Sequence, residues 1–304
     1  MKKNVLITGG TGFIGKHLTN ILVENGFSVS ILSRKSKQNT LEVFYYKWDV
    51  SSNYIDEKAV LGADFIIHLA GENIAEKRWT AKRKAVIIQS REQSTQLIYE
   101  VLKNNDKKPQ AFISASGIGI YGAINGSEIC TEKTLPADDF LGSTCQKWEV
   151  AADTFSDFKI RVVKIRTGLV LGKEEGFLKK MIPIFKLRLG SVLGSGKQYM
   201  PWIHIDDLCK IYLEALNNSQ MIGAYNAAIS DDTTNAIFSK TLTKIYGYSI
   251  WLPNVPAILI KMGMGEMAQI ILTGRRVSSE KIEKLGFKFH YATLEDALRN
   301  CLNK

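Results

Sequence analysis

Three short stretches carry residue types that do chemistry. Thr8-Gly9-Gly10-Thr11-Gly12-Phe13-Ile14-Gly15 fits both the G-x-G-x-x-G and the G-x-x-G-x-x-G spacing. Glycines at those intervals let a chain turn tightly, bring its backbone against a diphosphate and pack a helix onto the preceding strand. The new helix then offers free N–H groups and the positive end of its dipole to phosphate. Gly9, Thr11, Gly12, Phe13 and Ile14 are therefore candidate dinucleotide contacts, with a ligand-free glycine turn as the alternative. The second stretch is Ser33-Arg34-Lys35. Proteins that hold NAD place an acidic residue roughly 20 positions beyond the glycines, on the ribose 2′-hydroxyl. Here no carboxylate occurs until Glu42. A hydroxyl beside a cation suits a 2′-phosphate, so Ser33 and Arg34 predict NADP(H) over NAD(H). A solvated basic turn is the alternative. The third stretch, Trp202-Ile203-His204-Ile205-Asp206-Asp207, is the most polar cluster of the second half. Asp206 or Asp207 is the expected helix N-cap, and His204 is either a scaffold histidine or a general base.

The glycine turn needs a strand before it and a helix after it, and the pattern supplies both. Asn4 to Thr8 is a short apolar run. Gly12 to Asn25 places Phe13, Ile14, Leu18, Ile21 and Leu22 at helical core spacing, and Gly26 ends it. Further strands are expected at Ser28–Leu32, Val43–Trp48, Asp64–Leu69, Ala111–Ala115 and Lys159–Ile165. Helices are expected at Thr80–Lys103 and Phe140–Phe155, with an irregular segment before Asp139. This alternation predicts an α/β fold, a Rossmann-type doubly wound parallel sheet with helices on both faces. After about Gly172 helices dominate, at Gly176–Leu187, Asp207–Asn217, Asn235–Tyr246, Pro256–Thr273 and Thr293–Leu302. Short strands are expected at Tyr225–Ala228 and Ser249–Leu252. The expected organisation is a nucleotide-binding domain over residues 1–172 and a smaller, mostly helical domain over 173–304. Segments near 200–230 would return to the first domain, and the substrate cleft would lie between the two.

Composition narrows the function classes. The chain has 304 residues, 45% hydrophobic and 23% charged, which is ordinary globular composition. It has no apolar run of membrane-spanning length and no signal-peptide pattern. Four cysteines, Cys130, Cys145, Cys209 and Cys301, are widely spaced, which argues against a disulfide scaffold or zinc ribbon and makes the cytoplasm the default location. No HxxxH, HExxH or carboxylate cluster points to a metal. The formal net charge is +10. The basic residues are scattered, densest from Lys77 to Lys84, so an enzyme with anionic ligands accounts for them without nucleic acid.

TGGTGFIG, the strand end His68-Leu69-Ala70-Gly71, and Ser114-Ala115-Ser116 running to Ile120-Tyr121-Gly122 carry a family likeness. The sequence resembles the extended, nucleotide-sugar-epimerase-like branch of the short-chain dehydrogenase/reductase superfamily. More narrowly it resembles an atypical epimerase family of largely unknown function, with a C-terminal domain of unknown function. That narrower likeness runs the length of the chain. It rests on LAGENI (Leu69–Ile74) with Arg78-Trp79, DDFL and the Trp148-Glu149 helix, RTGLVLG (Arg166–Gly172), GSGKQYMPWIHIDDL (Gly194–Leu208) and the C-terminal GEMAQIILTGRRV. The resemblance implies that Leu69, Ala70, Gly71 and Glu72 lie beside the pyrophosphate and the nicotinamide ribose. It implies a basic NADP contact at Arg91 and a nicotinamide contact at Val170. On its residues alone, Arg91 reads as a surface helix position and Ala70-Gly71 as an ordinary turn.

The resemblance also shows where the chain departs from the superfamily. Members that do chemistry use a tyrosine and a lysine one helical turn apart, and the lysine lowers the tyrosine pKa. On the helix after the fifth strand, Cys145 stands where the tyrosine is expected and Glu149 where the lysine is expected. Lys147 is half a turn out of register, and the usual serine position is taken by Gly117, with Ser114 and Ser116 close by. Weak substitutes for the proton donor are Tyr121, Cys145 and His204, against packing roles for each. Three functions follow: an NADP-dependent oxidoreductase or epimerase acting on a small polar or sugar-like substrate; a non-catalytic NADP-binding redox sensor or scaffold; and a nucleic-acid or division-related partner protein, which no motif supports.

Overall fold

The structure, a computed structural model, describes residues 2–35, 37–173 and 175–303. In chain order the first half reads β1 (Asn4–Thr8), α1 (Phe13–Glu24), β2 (Ser28–Ser33), β3 (Val43–Asp49), β4 (Tyr54–Ile55), α2 (Glu57–Leu61), β5 (Phe65–His68), α3 (Ala81–Lys103), β6 (Ala111–Gly117), β7 (Asn125–Cys130), α4 (Phe140–Asp153) and β8 (Arg161–Thr167). The second half reads β9 (Leu169–Leu171), α5 (Gly176–Lys186), β10 (Trp202–His204), α6 (Ile205–Asn217), β11 (Gly223–Ala227), α7 (Asn235–Ile245), α8 (Ala257–Met264), α9 (Gln269–Leu272), β12 (Gly274–Val277), α10 (Glu280–Glu283) and α11 (Leu294–Leu302).

Eight strands form one sheet in the order β11-β8-β6-β5-β1-β2-β3-β4. Every pairing is parallel except β3 with the two-residue β4. From β1 the chain winds outward through β2 and β3 on one side and through β5, β6, β8 and β11 on the other. The reversal falls between β1 and β5, the place where such sheets bind their ligands. The register brings strand ends level: Thr8 lies opposite Leu32 and His68, His68 opposite Ser114, and Gly117 opposite Thr167.

Strands buried on both faces need apolar residues at successive positions, which β1 and β5 provide. Val5, Ile7, Ile67, Ile113 and Val163 point to the face covered by α1 and α6, among Leu18, Leu22, Leu208 and Ile211. Leu6, Ile66 and Phe112 point to the face covered by α3 and α4, among Ile98 and Phe155. The Phe112 and Phe155 rings stack at 3.8 Å. Side-chain caps start the long helices, with Thr80 accepting from the Arg83 N–H at 3.1 Å and Asp139 from the Gly142 N–H at 2.8 Å.

The second half builds its own core from Phe185, Trp202, Phe238, Leu242 and Leu298, contributed by α5, α7, α11 and β10. It is not a simple appendage. α6 covers one face of the main sheet, and β11 pairs with β8 along its edge. Two small parallel pairs, β9 with β10 and β7 with β12, tie the halves together.

Several expectations change. The expected helix over 256–273 breaks, because Gly265 adopts φ +60°, and it becomes α8, a 3₁₀ turn and α9. No strand forms at Ser249–Leu252; Trp251 stays 67% exposed and donates its indole N–H to the Arg188 carbonyl. The segment before Asp139 holds β7, whose partner β12 lies about 150 residues later in sequence. All four cysteines are buried and free. Among the described residues no helix is long and apolar enough to cross a membrane.

Candidate functional site

The glycine turn sits at the carboxyl end of β1. Gly9 takes φ +69°, and a Cβ there would come within 3.1 Å of the Leu69–Ala70 backbone. A Cβ on Gly15 would lie 2.4 Å from the Gly9 carbonyl oxygen, so the helix can approach the turn only with glycine there. The Gly12 N–H closes the turn on the Gly9 carbonyl at 3.0 Å. Gly12 is the N-cap of α1, no side chain among the described residues caps that end, and its first turn carries no acidic residue. The N-terminal N–H groups, Phe13 and Ile14 among them, are thus left to an outside acceptor. The Phe13 ring packs against Gly172, where a Cβ would come within 2.5 Å, so the turn is braced by the start of the second half.

At the end of β2, Ser33 is buried. Its hydroxyl donates to the Lys35 carbonyl at 2.8 Å and accepts the Lys35 N–H at 3.2 Å, which fixes the bend that follows. Arg34 is exposed, and no carboxylate among the described residues pairs with it.

At the end of β5, His68 is wholly buried. Its Nδ1 meets the Thr8 hydroxyl at 2.8 Å, and its Nε2 lies near Ser94 at 3.1 Å and Thr95 at 3.2 Å on α3. Burial, with the Arg91 charge beside it, lowers its pKa to about 3, so the ring is neutral. The Thr8 hydroxyl also accepts the Ala70 N–H at 3.1 Å. This buried polar cluster holds Leu69-Ala70-Gly71 beside the glycine turn. Glu72 pairs with Arg83 at 2.8 Å and accepts Arg91 Nη1 on its carbonyl at 3.2 Å. Arg91 is buried. A Cβ on Gly71 would lie 3.0 Å from its guanidinium carbon, and the guanidinium stacks over Trp148 at 4.5 Å.

A cavity of about 400 Å³ opens next to Arg91, over the ends of β6 and β8. Ser116 to Gly119 and Thr167 to Leu169 form one side, and α4 presents Leu141, Thr144, Cys145 and Trp148 as one stripe along another. Phe177, Tyr199 and Met200, with the segment from Ile270 to Arg275, close it from the second half. Tyr121 and Cys145 line this cavity, whereas His204 does not. Val170 lies on β9 opposite Ile203, next to the lining residue Leu169.

The positions of the expected tyrosine and lysine are occupied by groups already committed elsewhere. Glu149 is buried and bonds Arg166 through both carboxylate oxygens, at 2.8 and 2.9 Å, while the Ser116 hydroxyl donates to it at 2.7 Å. Burial alone would lower the Arg166 pKa; the hydrogen bonds and charge of Glu149 more than reverse that, so the guanidinium stays charged. Arg166 Nη1 also donates to the Tyr121 hydroxyl at 3.1 Å, and that hydroxyl donates to Asn226 at 2.6 Å. Burial pushes the Tyr121 phenol up to about 12 against the pull of Arg166. Burial also pushes the Cys145 thiol up to about 12. Neither group exchanges a proton readily near neutrality.

His204, and neither Asp206 nor Asp207, is the N-cap of α6. Its Nδ1 accepts the Asp206 N–H at 3.2 Å, its Nε2 meets Asn300 at 3.1 Å, and its ring lies 3.9 Å from that of Tyr291. Burial lowers its pKa, opposed by Asp206. Asp206 binds His17, and the wholly buried Asp207 accepts the backbone N–H groups of His290 and Tyr291, each at 2.9 Å. The cluster is a structural joint. Sequence reasoning missed the His68 hub, the Arg166 partner of Glu149 and Tyr199. The position of His68 at a strand end beside a hydroxyl-rich helix face was the available signal for the first.

Comparison with known proteins adds to this geometry. The profile described as NAD dependent epimerase/dehydratase family matches residues 5–228, and a domain of unknown function matches residues 255–301. Epimerase family protein YfhF of Bacillus subtilis (strain 168) is 34% identical over 295 residues, covering 97% of this chain and 96% of that protein. Epimerase family protein SAR0825 of Staphylococcus aureus (strain MRSA252) is 34% identical over 308 residues, covering 99% and 100%. Among solved structures, human epimerase family protein SDR39U1 (isoform 2) with NADPH superposes with a TM-score of 0.89 at 31% identity, covering 99% of each chain.

Proposed function

The chain belongs to the NAD dependent epimerase/dehydratase family, and from that footing we propose that it is an atypical short-chain dehydrogenase/reductase that binds NADP(H) and transfers hydride to or from a small molecule, as an oxidoreductase or epimerase. In this reading Gly9, Thr11, Gly12, Phe13 and Ile14 hold the diphosphate on the uncapped end of α1. Ser33 sets the bend from which Arg34 meets the 2′-phosphate. Leu69, Ala70, Gly71 and Glu72 run beside the nicotinamide ribose, Arg91 supplies the nearby positive charge, and Val170 bounds the nicotinamide end. The dihydronicotinamide, when bound, supplies a hydride; the chain's own residues orient it, exclude water and hold the second reactant. The NADPH named with the human relative supports the choice of coenzyme.

The observation that carries this reading is the cavity at the ends of β6 and β8, lined by Arg91, whose guanidinium packs against Gly71. A protein that only senses the coenzyme has no need of a second chamber there. The competing reading, a non-catalytic sensor or scaffold, is favoured by one observation: Glu149 occupies the lysine position and is bound to Arg166. Calorimetric titration with NADPH and NADH, followed by incubation with panels of carbonyl compounds, separates the two. Turnover of any carbonyl supports hydride transfer; tight NADPH binding with no turnover across the panels supports the sensor.

A further inference from the structure

We propose that the cavity receives an apolar carbonyl compound of one or two rings rather than a sugar, and that the Tyr199 hydroxyl binds the carbonyl oxygen. This rests on the hydride-transfer reading and names its substrate class. The walls are largely hydrocarbon, with Ile118, Leu141, Leu169, Phe177, Met200 and Ile271 among them. The polar side chains in the wall are mostly committed to the protein. Ser116 donates to Glu149 at 2.7 Å, Tyr121 to Asn226 at 2.6 Å and Thr144 to the Phe140 carbonyl at 2.6 Å. The Asn235 side-chain oxygen accepts the Leu193 N–H at 2.8 Å. A sugar would bring several hydroxyl groups into this space and lose their water without replacement. This departs from the polar or sugar-like substrate expected from the sequence.

Arg91 Nε, Trp148 Nε1 and Arg275 Nε belong to lining residues but are themselves wholly buried, so they do not reach into the cavity. Tyr199 is the other lining phenol besides Tyr121, and among the described residues its hydroxyl has no hydrogen-bond partner. Its backbone is fixed: it bridges Thr234, and Gly274 packs so closely that a Cβ there would overlap the Tyr199 carbonyl. The Arg276 guanidinium, paired with Asp232 at 2.6 Å, lies 5.8 Å over its ring. A hydrocarbon wall with one unpartnered hydroxyl matches a ligand with one acceptor oxygen and little else that is polar. A cavity of roughly 150 Å³ accommodates benzene, so about 400 Å³ holds a nicotinamide together with a one- or two-ring compound.

The test is calorimetric titration of the full chain, alone and saturated with NADP⁺, with 2-tetralone, its hydrocarbon parent tetralin, glucose and UDP-glucose. Tetralone should bind, tetralin about tenfold more weakly, and the two sugars not at all at tenfold higher concentration. Tyr199→Phe should weaken tetralone about tenfold and leave tetralin unchanged, the loss of one hydrogen bond. Tighter binding of UDP-glucose than of tetralone, no tetralone binding, or equal tetralone affinity in Tyr199→Phe would overturn the proposal. Should that variant not fold, the ketone-to-hydrocarbon ratio of the unmodified chain decides alone. A separate NADPH titration tells the two readings apart. Tetralone binding without NADPH binding removes the hydride-transfer reading and leaves the cavity's preference standing; NADPH binding without tetralone binding removes this inference only.

Discussion

Replacing Glu149 with glutamine tests whether the residue in the lysine position serves structure or chemistry. Glu149 and Arg166 are each 6% exposed, and the carboxylate meets the guanidinium at 2.8 and 2.9 Å. Glutamine keeps the shape, removes the negative charge and turns one acceptor into an amide that faces donors. It leaves the buried guanidinium with neutral acceptors only, the new amide oxygen, the Tyr121 hydroxyl and the Glu132 carbonyl. Breaking a buried pair from one side costs about 3–5 kcal/mol. At roughly 2–4 °C per kcal/mol for a chain of this size, the melting temperature should fall by roughly 6–20 °C. Calorimetric melting and urea unfolding both measure it. Replacing both partners with apolar residues, Glu149→Leu with Arg166→Met, should recover much of the loss, because no uncompensated charge remains. A Glu149→Gln protein that melts within about 1 °C of the parent, or a double variant less stable than the single one, would refute the assignment of Glu149 to a stabilising ion pair.

Three further outcomes are expected. His68 is neutral in the fold, with its pKa lowered to about 3, and an unfolded histidine titrates near 6.5. Its contribution is therefore intact above pH 6.5 and is lost as pH falls from 6.5 toward 3, at about 1.4 kcal/mol per unit. Urea unfolding between pH 7 and pH 5 should show that slope, and His68→Gln should remove it; an unchanged slope in the variant counts against the assignment. Arg34→Ala should weaken NADPH by about tenfold or more while leaving NADH within about twofold, since one charge-assisted bond to the 2′-phosphate is lost; equal loss for both coenzymes would move that contact elsewhere. Cys145 lines the cavity but its thiol sits near 12, so iodoacetamide at pH 8 should leave it unlabelled in peptide mass spectra of the native protein. Rapid labelling of Cys145 would mean an activated thiol and return it to the list of proton donors.

What the sequence made legible was local. The turn at Gly9–Gly15 and the alternation of strands and helices are written in neighbouring residues, and the structure keeps both. That Cys145 and Glu149 stand where a tyrosine and a lysine are expected was readable only through the family resemblance, which supplies the positions that helix register then fixes. The partners were not. Glu149 finds Arg166 across two elements, His68 finds Thr8 sixty residues back, and Asp207 finds the backbone of residues 290 and 291. β7 is polar and mostly exposed, β12 has only four residues, and neither shows apolar alternation; each pairs with the other. The misplaced N-cap at α6 has the same origin. An aspartate is the better cap by type, but the buried Asp207 is held by the distant C-terminal backbone, which leaves the cap to His204.

The late arrival of β11 has a consequence for how the molecule is made. On the ribosome β8 is complete about 55 residues before its outer neighbour emerges, which at roughly 5–20 residues per second is a delay of several seconds. For that time the nascent sheet presents a bare row of N–H and C=O groups to the crowded space around it. A version ending after β9 would keep that edge permanently. It should collect in inclusion bodies or on chaperones, whereas one ending after Ala228 would have β8 paired by the five-residue β11.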